Sequence, residues 1–63
     1  MISDPKRQQE IALPAIRNAL ERGWTLKALA SVMGTTEEIL RKIQNGVGIS
    51  STDFHIIEVH LRA

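Results

Sequence analysis

The sequence predicts an all-α fold, a small bundle of four to five helices, on three observations. Apolar residues recur at steps of three and four, most clearly at Leu29, Ala30 and Met33 and again at Leu40 and Ile43. Residues that start helices stand ahead of such stretches, at Asp4-Pro5, Thr25, Thr35 and Ser50 to Asp53, while Gly23, Gly34 and Gly46 stand behind them as stops. The chain has 63 residues and no cysteine, which gives one domain, 1–63, with one modest core and neither a disulfide framework nor a Cys-based zinc site. A well-packed helical core or a dimer interface must then supply the stability.

Residues 1–10 are polar and read as an N-terminal arm or helix extension. Asp4 can cap a helix and Pro5 suits its first position. Lys6 and Arg7 read as a solvated face before they read as an arm touching phosphate. From Ile11 to Arg22 the apolar stripe is Ile16 and Leu20 with Ala12, Ala15 and Ala19 nearby, leaving Arg17, Asn18, Glu21 and Arg22 to water. Pro14 disfavours helical backbone at Leu13, so this segment is expected to be kinked or in two pieces. Gly23 ends it, and Trp24, the only tryptophan, is read as a core or near-core anchor.

Thr25 caps the next helix, Leu26 to Met33, with Lys27 in its first turn. Gly34 tolerates the left-handed backbone of a helix stop. Thr35 then caps a second helix, Thr36 to Gln44, with Glu38 reaching back to the Thr35 amide in a capping box. Leu40 and Ile43 face Leu29, Ala30 and Met33, and the small Ala30 lets the two helices cross closely. Asn45-Gly46 closes the unit, so 26–46 reads as a helix-turn-helix. Its outward face presents Thr36, Glu37, Glu38, Arg41 and Lys42, with Ile39 half-buried beside it. Glu37 and Glu38 suit the positive end of that helix and stand four residues before Arg41 and Lys42. Val47 to Ser50 is a loop. A last helix runs to about Leu61, with Phe54, Ile57 and Leu61 on the core face and Ile56 or Val59 spare for a second copy of the chain.

Leu29-Ala30, Met33-Gly34-Thr35-Thr36, Leu40, Ile43 and Asn45-Gly46 together resemble the lambda repressor-like regulators, which include Cro, the lambdoid phage repressors and the Xre group. The resemblance covers roughly Ile16 to Leu61. It implies a cytoplasmic, nucleoid-associated transcriptional regulator of the repressor kind. Such a protein binds double-stranded DNA as a homodimer, placing helix 36–44 in the major groove at half-sites about one helical turn apart. By the same resemblance Thr25 and Lys27 face the DNA backbone, and Thr36, Glu37, Glu38, Arg41 and Lys42 face base edges or phosphate, Lys42 reading a base and Arg41 a phosphate. Asn45, with Gly46 and Ser50, offers further phosphate contacts. Two departures stand out. Leu26 replaces a glutamine common in the family, and Glu37-Glu38 occupy positions where Gln, Ser, Arg or Asn are usual. Carboxylates there are repelled by phosphate yet can accept from cytosine N4.

With 8 Lys+Arg against 7 Asp+Glu, the chain lacks the strongly basic balance of a nonspecific nucleic-acid coat. Neither a membrane-spanning apolar run nor a secretion signal is present in the sequence, so a soluble cytoplasmic protein is expected. Enzyme chemistry is not expected: there is no cysteine, no assembled Ser-His-Asp set and no glycine-rich phosphate loop. His55 and His60, five apart, fall on different helix faces, and Asp53 and Glu58 complete no ligand set, so neither metal nor cofactor is expected. The alternative keeps the fold but binds another regulatory protein, as an antirepressor, a regulator modulator or an antitoxin-like partner. Low net charge, the acidic pair Glu37-Glu38 and spare apolar residues at Ile39, Ile56 and Val59 motivate it.

Overall fold

A computed structural model of the chain describes residues 3–62; Met1, Ile2 and Ala63, the ends of the expected 1–63 domain, lie outside the described residues. Four helices follow in order: α1 (Pro5–Glu21), α2 (Leu26–Met33), α3 (Glu37–Gln44) and α4 (Ser51–Arg62). Among the described residues there is no strand. Helix α1 packs against the other three, and α2 packs against α3 and α4.

Each helix starts where a short polar side chain can take an amide that the helix leaves unpaired. Asp4 accepts from the Lys6 amide at 3.1 Å with Pro5 behind it, Thr25 from Ala28 at 3.1 Å, Thr36 from Ile39 at 3.2 Å and Ser50 from Asp53 at 3.1 Å. The first three helices end on one device. The Trp24 amide donates to Ala19, Thr35 to Ala30 and Val47 to Lys42, each bond spanning five residues, and the glycine just before each donor has positive φ. This is the Schellman stop, which satisfies carbonyls that would otherwise be orphaned.

That device corrects the expected start of α3. The Thr35 amide is taken by Ala30 at 2.9 Å, so it belongs to the stop of α2 and offers Glu38 nothing to bond. The cap moves one residue on, to Thr36, and α3 begins at Glu37. Three residues beyond Thr36 stands apolar Ile39, so no capping box can form.

Helix α1 is a single 17-residue helix containing Pro14, not two pieces. Pro14 and Glu10 are both exposed, so the Glu10 carbonyl, which loses its helical donor to proline, lies on the wet side of α1 where water can replace it. The buried stripe of α1 also starts earlier than expected. It runs Gln8, Ala12 and Ile16, with Ala19 partly buried after it, and Leu20 steps onto the flank at 37% exposed.

Ala12, Ile16, Leu29, Ala30, Met33, Leu40, Ile43, Ile49, Phe54 and Ile57 form one core. Phe54, Leu40 and Ile57 are wholly enclosed, and burying a side chain of that size contributes about 1.5–3 kcal/mol. Ile39 and Leu61 pack on the core from its edge, as their spacing predicts. Trp24 is not an anchor: it remains 42% exposed. A residue following a Schellman glycine normally leans on the last turn of its helix. Here that turn offers Ala19, whose single methyl group cannot cover an indole.

Residues 5–9 belong to this fold and are no loose arm. The Gln8 side chain donates to the Ile49 carbonyl at 2.8 Å and accepts from the Ile49 amide at 3.1 Å, both bonds buried. Gln9 donates to the carbonyls of Ile43 at 2.9 Å and Gln44 at 3.3 Å, serving the unpaired C-terminal end of α3. The loop from Val47 to Ser50 is thereby fixed against α1. A Cβ built on Gly48 would lie 2.7 Å from the ring of Pro5, so loop and helix meet without room for a side chain.

Candidate nucleic-acid interface

The candidate surface is built on α3 and the start of α2. Helix α3 buries Leu40 and Ile43, which leaves its opposite side to solvent. Thr36, Glu38, Arg41, Lys42 and Asn45 are exposed there and Glu37 is half-buried at the edge. Thr36 is the N-cap and Asn45 the C-cap, with the Asn45 amide donating to the Arg41 carbonyl at 3.0 Å. They stand at opposite ends of a helix about 12 Å long. Asn45 therefore stands at the far end of α3 from Thr36.

Glu37 and Glu38 occupy the first turn of α3, where the helix dipole favours negative charge. Each also reaches forward one turn. Glu37 pairs with Arg41, and Glu38 approaches Lys42 at 4.0 Å. A glutamate four residues ahead of the base is the favourable sense for such a pair, which contributes about 0.3–0.5 kcal/mol when exposed. The consequence is electrostatic: the outward face of α3 bears two cations and two anions, and each cation already has a partner.

Thr25 and Lys27, at the start of α2, are both exposed. Thr25 spends its hydroxyl oxygen as acceptor on the Ala28 amide, leaving its O–H to donate outward. Lys27 forms no ion pair among the described residues, as is also true of Lys6, Arg17 and Arg22. The remaining pairs, Arg7 with Glu10 and Glu58 with Arg62, lie on α1 and α4.

No family model, curated protein or solved structure matches the chain.

What the surface can do follows from its shape and chemistry. Two open grooves, of about 380 and 240 Å³, run along the flank of α1 beside Leu13 and Arg17, and neither is lined by Thr25, Lys27, Thr36, Glu37, Glu38, Arg41, Lys42 or Asn45. Seven of those eight residues are exposed and Glu37 is half-buried. An exposed helix face with long charged side chains encloses no small molecule. Among the described residues no helix is long and apolar enough to cross a membrane.

Gln9 escapes sequence reasoning although it positions α3 from outside. The signal for its neighbour is present: Gln8, Ala12 and Ile16 are spaced by four and four, which carries the buried stripe of α1 back into the polar segment. For Gln9 no local signal exists, because its partners are 34 and 35 residues away.

Proposed function

We propose that this chain is a sequence-specific DNA-binding regulator of the lambda repressor-like kind, which sets α3 into the major groove as one half of a homodimer. One observation carries the reading. Two eight-residue helices, α2 and α3, pack on each other across a three-residue Gly-Thr-Thr turn, and α3 keeps its polar face and capped N-terminus in solvent. That combination supports reading the pair as a helix-turn-helix. The resemblance of Leu29-Ala30, Met33-Gly34-Thr35-Thr36 and Asn45-Gly46 to repressor sequences supports it.

In this reading Thr25 and Lys27 grip backbone phosphate, Arg41 and Asn45 flank the groove on the other side, and Lys42 reaches a base. Selection from a random duplex library at moderate salt, with the solution mass of the purified chain, tests it. The expected result is an enriched palindrome bound by a dimer, its half-sites about 10 base pairs apart. Arg41→Ala and Lys42→Ala each weaken binding to that site. Arg41→Ala lowers the slope of log affinity against log salt by about one unit, and Lys42→Ala relaxes the preference at one base. Enrichment of nothing, with weak binding to every duplex, contradicts the reading.

A second reading rests on a different observation. The self-paired charges of α3 give DNA little net attraction, while Val32, Ile56 and Val59 keep 55%, 42% and 54% of their surface exposed. The same fold would then bind another regulatory protein. Binding to that partner would persist at high salt, where a DNA complex dissociates.

A further inference from the structure

Every cation on the outward face of α3 is matched by a carboxylate one turn earlier, and that matching bears on selectivity. Arg41 pairs with Glu37 and Lys42 approaches Glu38 at 4.0 Å, while Lys27, Lys6, Arg17 and Arg22, all off α3, form no ion pair among the described residues. We infer that Glu37 and Glu38 are specificity determinants of this surface. They offset the charges of Arg41 and Lys42 before a duplex that offers phosphate alone, and cease to oppose them before one that offers the carboxylates a base amino group. The inference rests on the DNA-binding reading above.

A duplex of arbitrary sequence gives Arg41 or Lys42 a phosphate oxygen in place of a carboxylate oxygen. One anion replaces another, so little is gained. The displaced carboxylate is left in the negative field of the DNA, where nothing neutralises it. The exchange is therefore unfavourable on phosphate alone. In the major groove cytosine N4 can donate to a glutamate. A site that places a cytosine beside the first turn of α3 gives Glu38, whose side chain is 80% exposed, a donor, and then Lys42 is freed to bind as a full charge. The same exchange frees Arg41 from Glu37. Selectivity arises because binding of the cations is tied to satisfaction of the anions.

The test compares the parent chain with Glu37→Gln/Glu38→Gln, which keeps side-chain size and removes both charges. Each protein is put through selection on random duplexes. Each is then titrated, across a range of salt, against the duplex selected by the parent and a scrambled duplex of equal length. The expected variant binds the scrambled duplex more tightly, with a log-log salt slope steeper by about one to two units as one or two cations are released. Its preference for the selected duplex falls by about tenfold or more for each base it no longer reads, and the cytosine enrichment seen with the parent disappears. Should the double variant fail to fold, Glu38→Gln alone is expected to steepen the slope by about one unit. If affinity for the scrambled duplex, slope and preference all equal those of the parent, the inference is overturned and the DNA-binding reading stands. If the parent enriches no sequence, that reading falls and the inference falls with it.

Discussion

Gln8 is the residue that joins α1 to the loop ahead of α4. Its side-chain amide pairs with both the amide and the carbonyl of Ile49, as a neighbouring strand would. Gln8→Leu keeps the volume and removes both partners, leaving two buried backbone groups unsatisfied at a cost of about 1–3 kcal/mol each. The melting temperature followed by circular dichroism is expected to fall by about 4–8 °C for each kcal/mol of stability removed in a domain this small. A melting point equal to that of the parent would mean that water serves Ile49 as well as Gln8 does. Composition hides this role, because glutamine is mostly an exposed residue and stands here among charged neighbours.

At the scale of the helix, the caps make a sharper test than the core. Thr36→Ala removes the acceptor for the Ile39 amide and is expected to destabilise by about 1 kcal/mol. Thr35→Ala leaves intact the amide that closes α2 and is expected to cost far less. Equal losses in denaturant titrations would restore Thr35 as the cap. What is legible in the sequence follows the range of the chemistry. The stops at Gly23, Gly34 and Gly46, the caps at Asp4, Thr25 and Ser50, and the ion pairs from Glu37 and Glu38 all act within five residues, and each can be read from its neighbours. The start of α3 falls one position beyond its expected place because two short-range devices compete for the Thr35 amide, and the stop of α2 takes it. Leu20 and Trp24 depart from expectation for another reason: their exposure depends on which neighbours the assembled fold sets beside them. The eight candidate site residues lie on exposed or edge positions because helical periodicity separates Thr25 and Lys27 from Leu29, Ala30 and Met33, and the other six from Leu40 and Ile43. Their division into paired and unpaired cations requires only the four-residue spacing.

For the whole molecule the question is what meets the outward side of α4. Phe54 and Ile57 of this helix are buried in the core while Ile56 and Val59 stay 42% and 54% exposed, so a strip of two apolar residues one turn apart lies on its solvent side. In a dimer this strip would link two copies of α3, and the second half-site would then bind at an effective concentration that raises affinity by about 10²–10⁴-fold. Val59→Glu should leave helicity unchanged, since Val59 is 54% exposed. If the strip joins two copies, the solution mass falls to that of one chain and affinity for a selected palindrome drops by about a hundredfold. An unchanged mass would remove α4 as the joining surface.

The bonds between Gln8 and Ile49 close a span of 41 residues, and those from Gln9 reach the carbonyls of Ile43 and Gln44 at the end of α3. Force applied where α1 begins reaches the segment that follows Asn45 without crossing α2 or its turn. The first residues of α1 and the rear of α3 thus form a mechanical linkage, and a load on either is carried by the other.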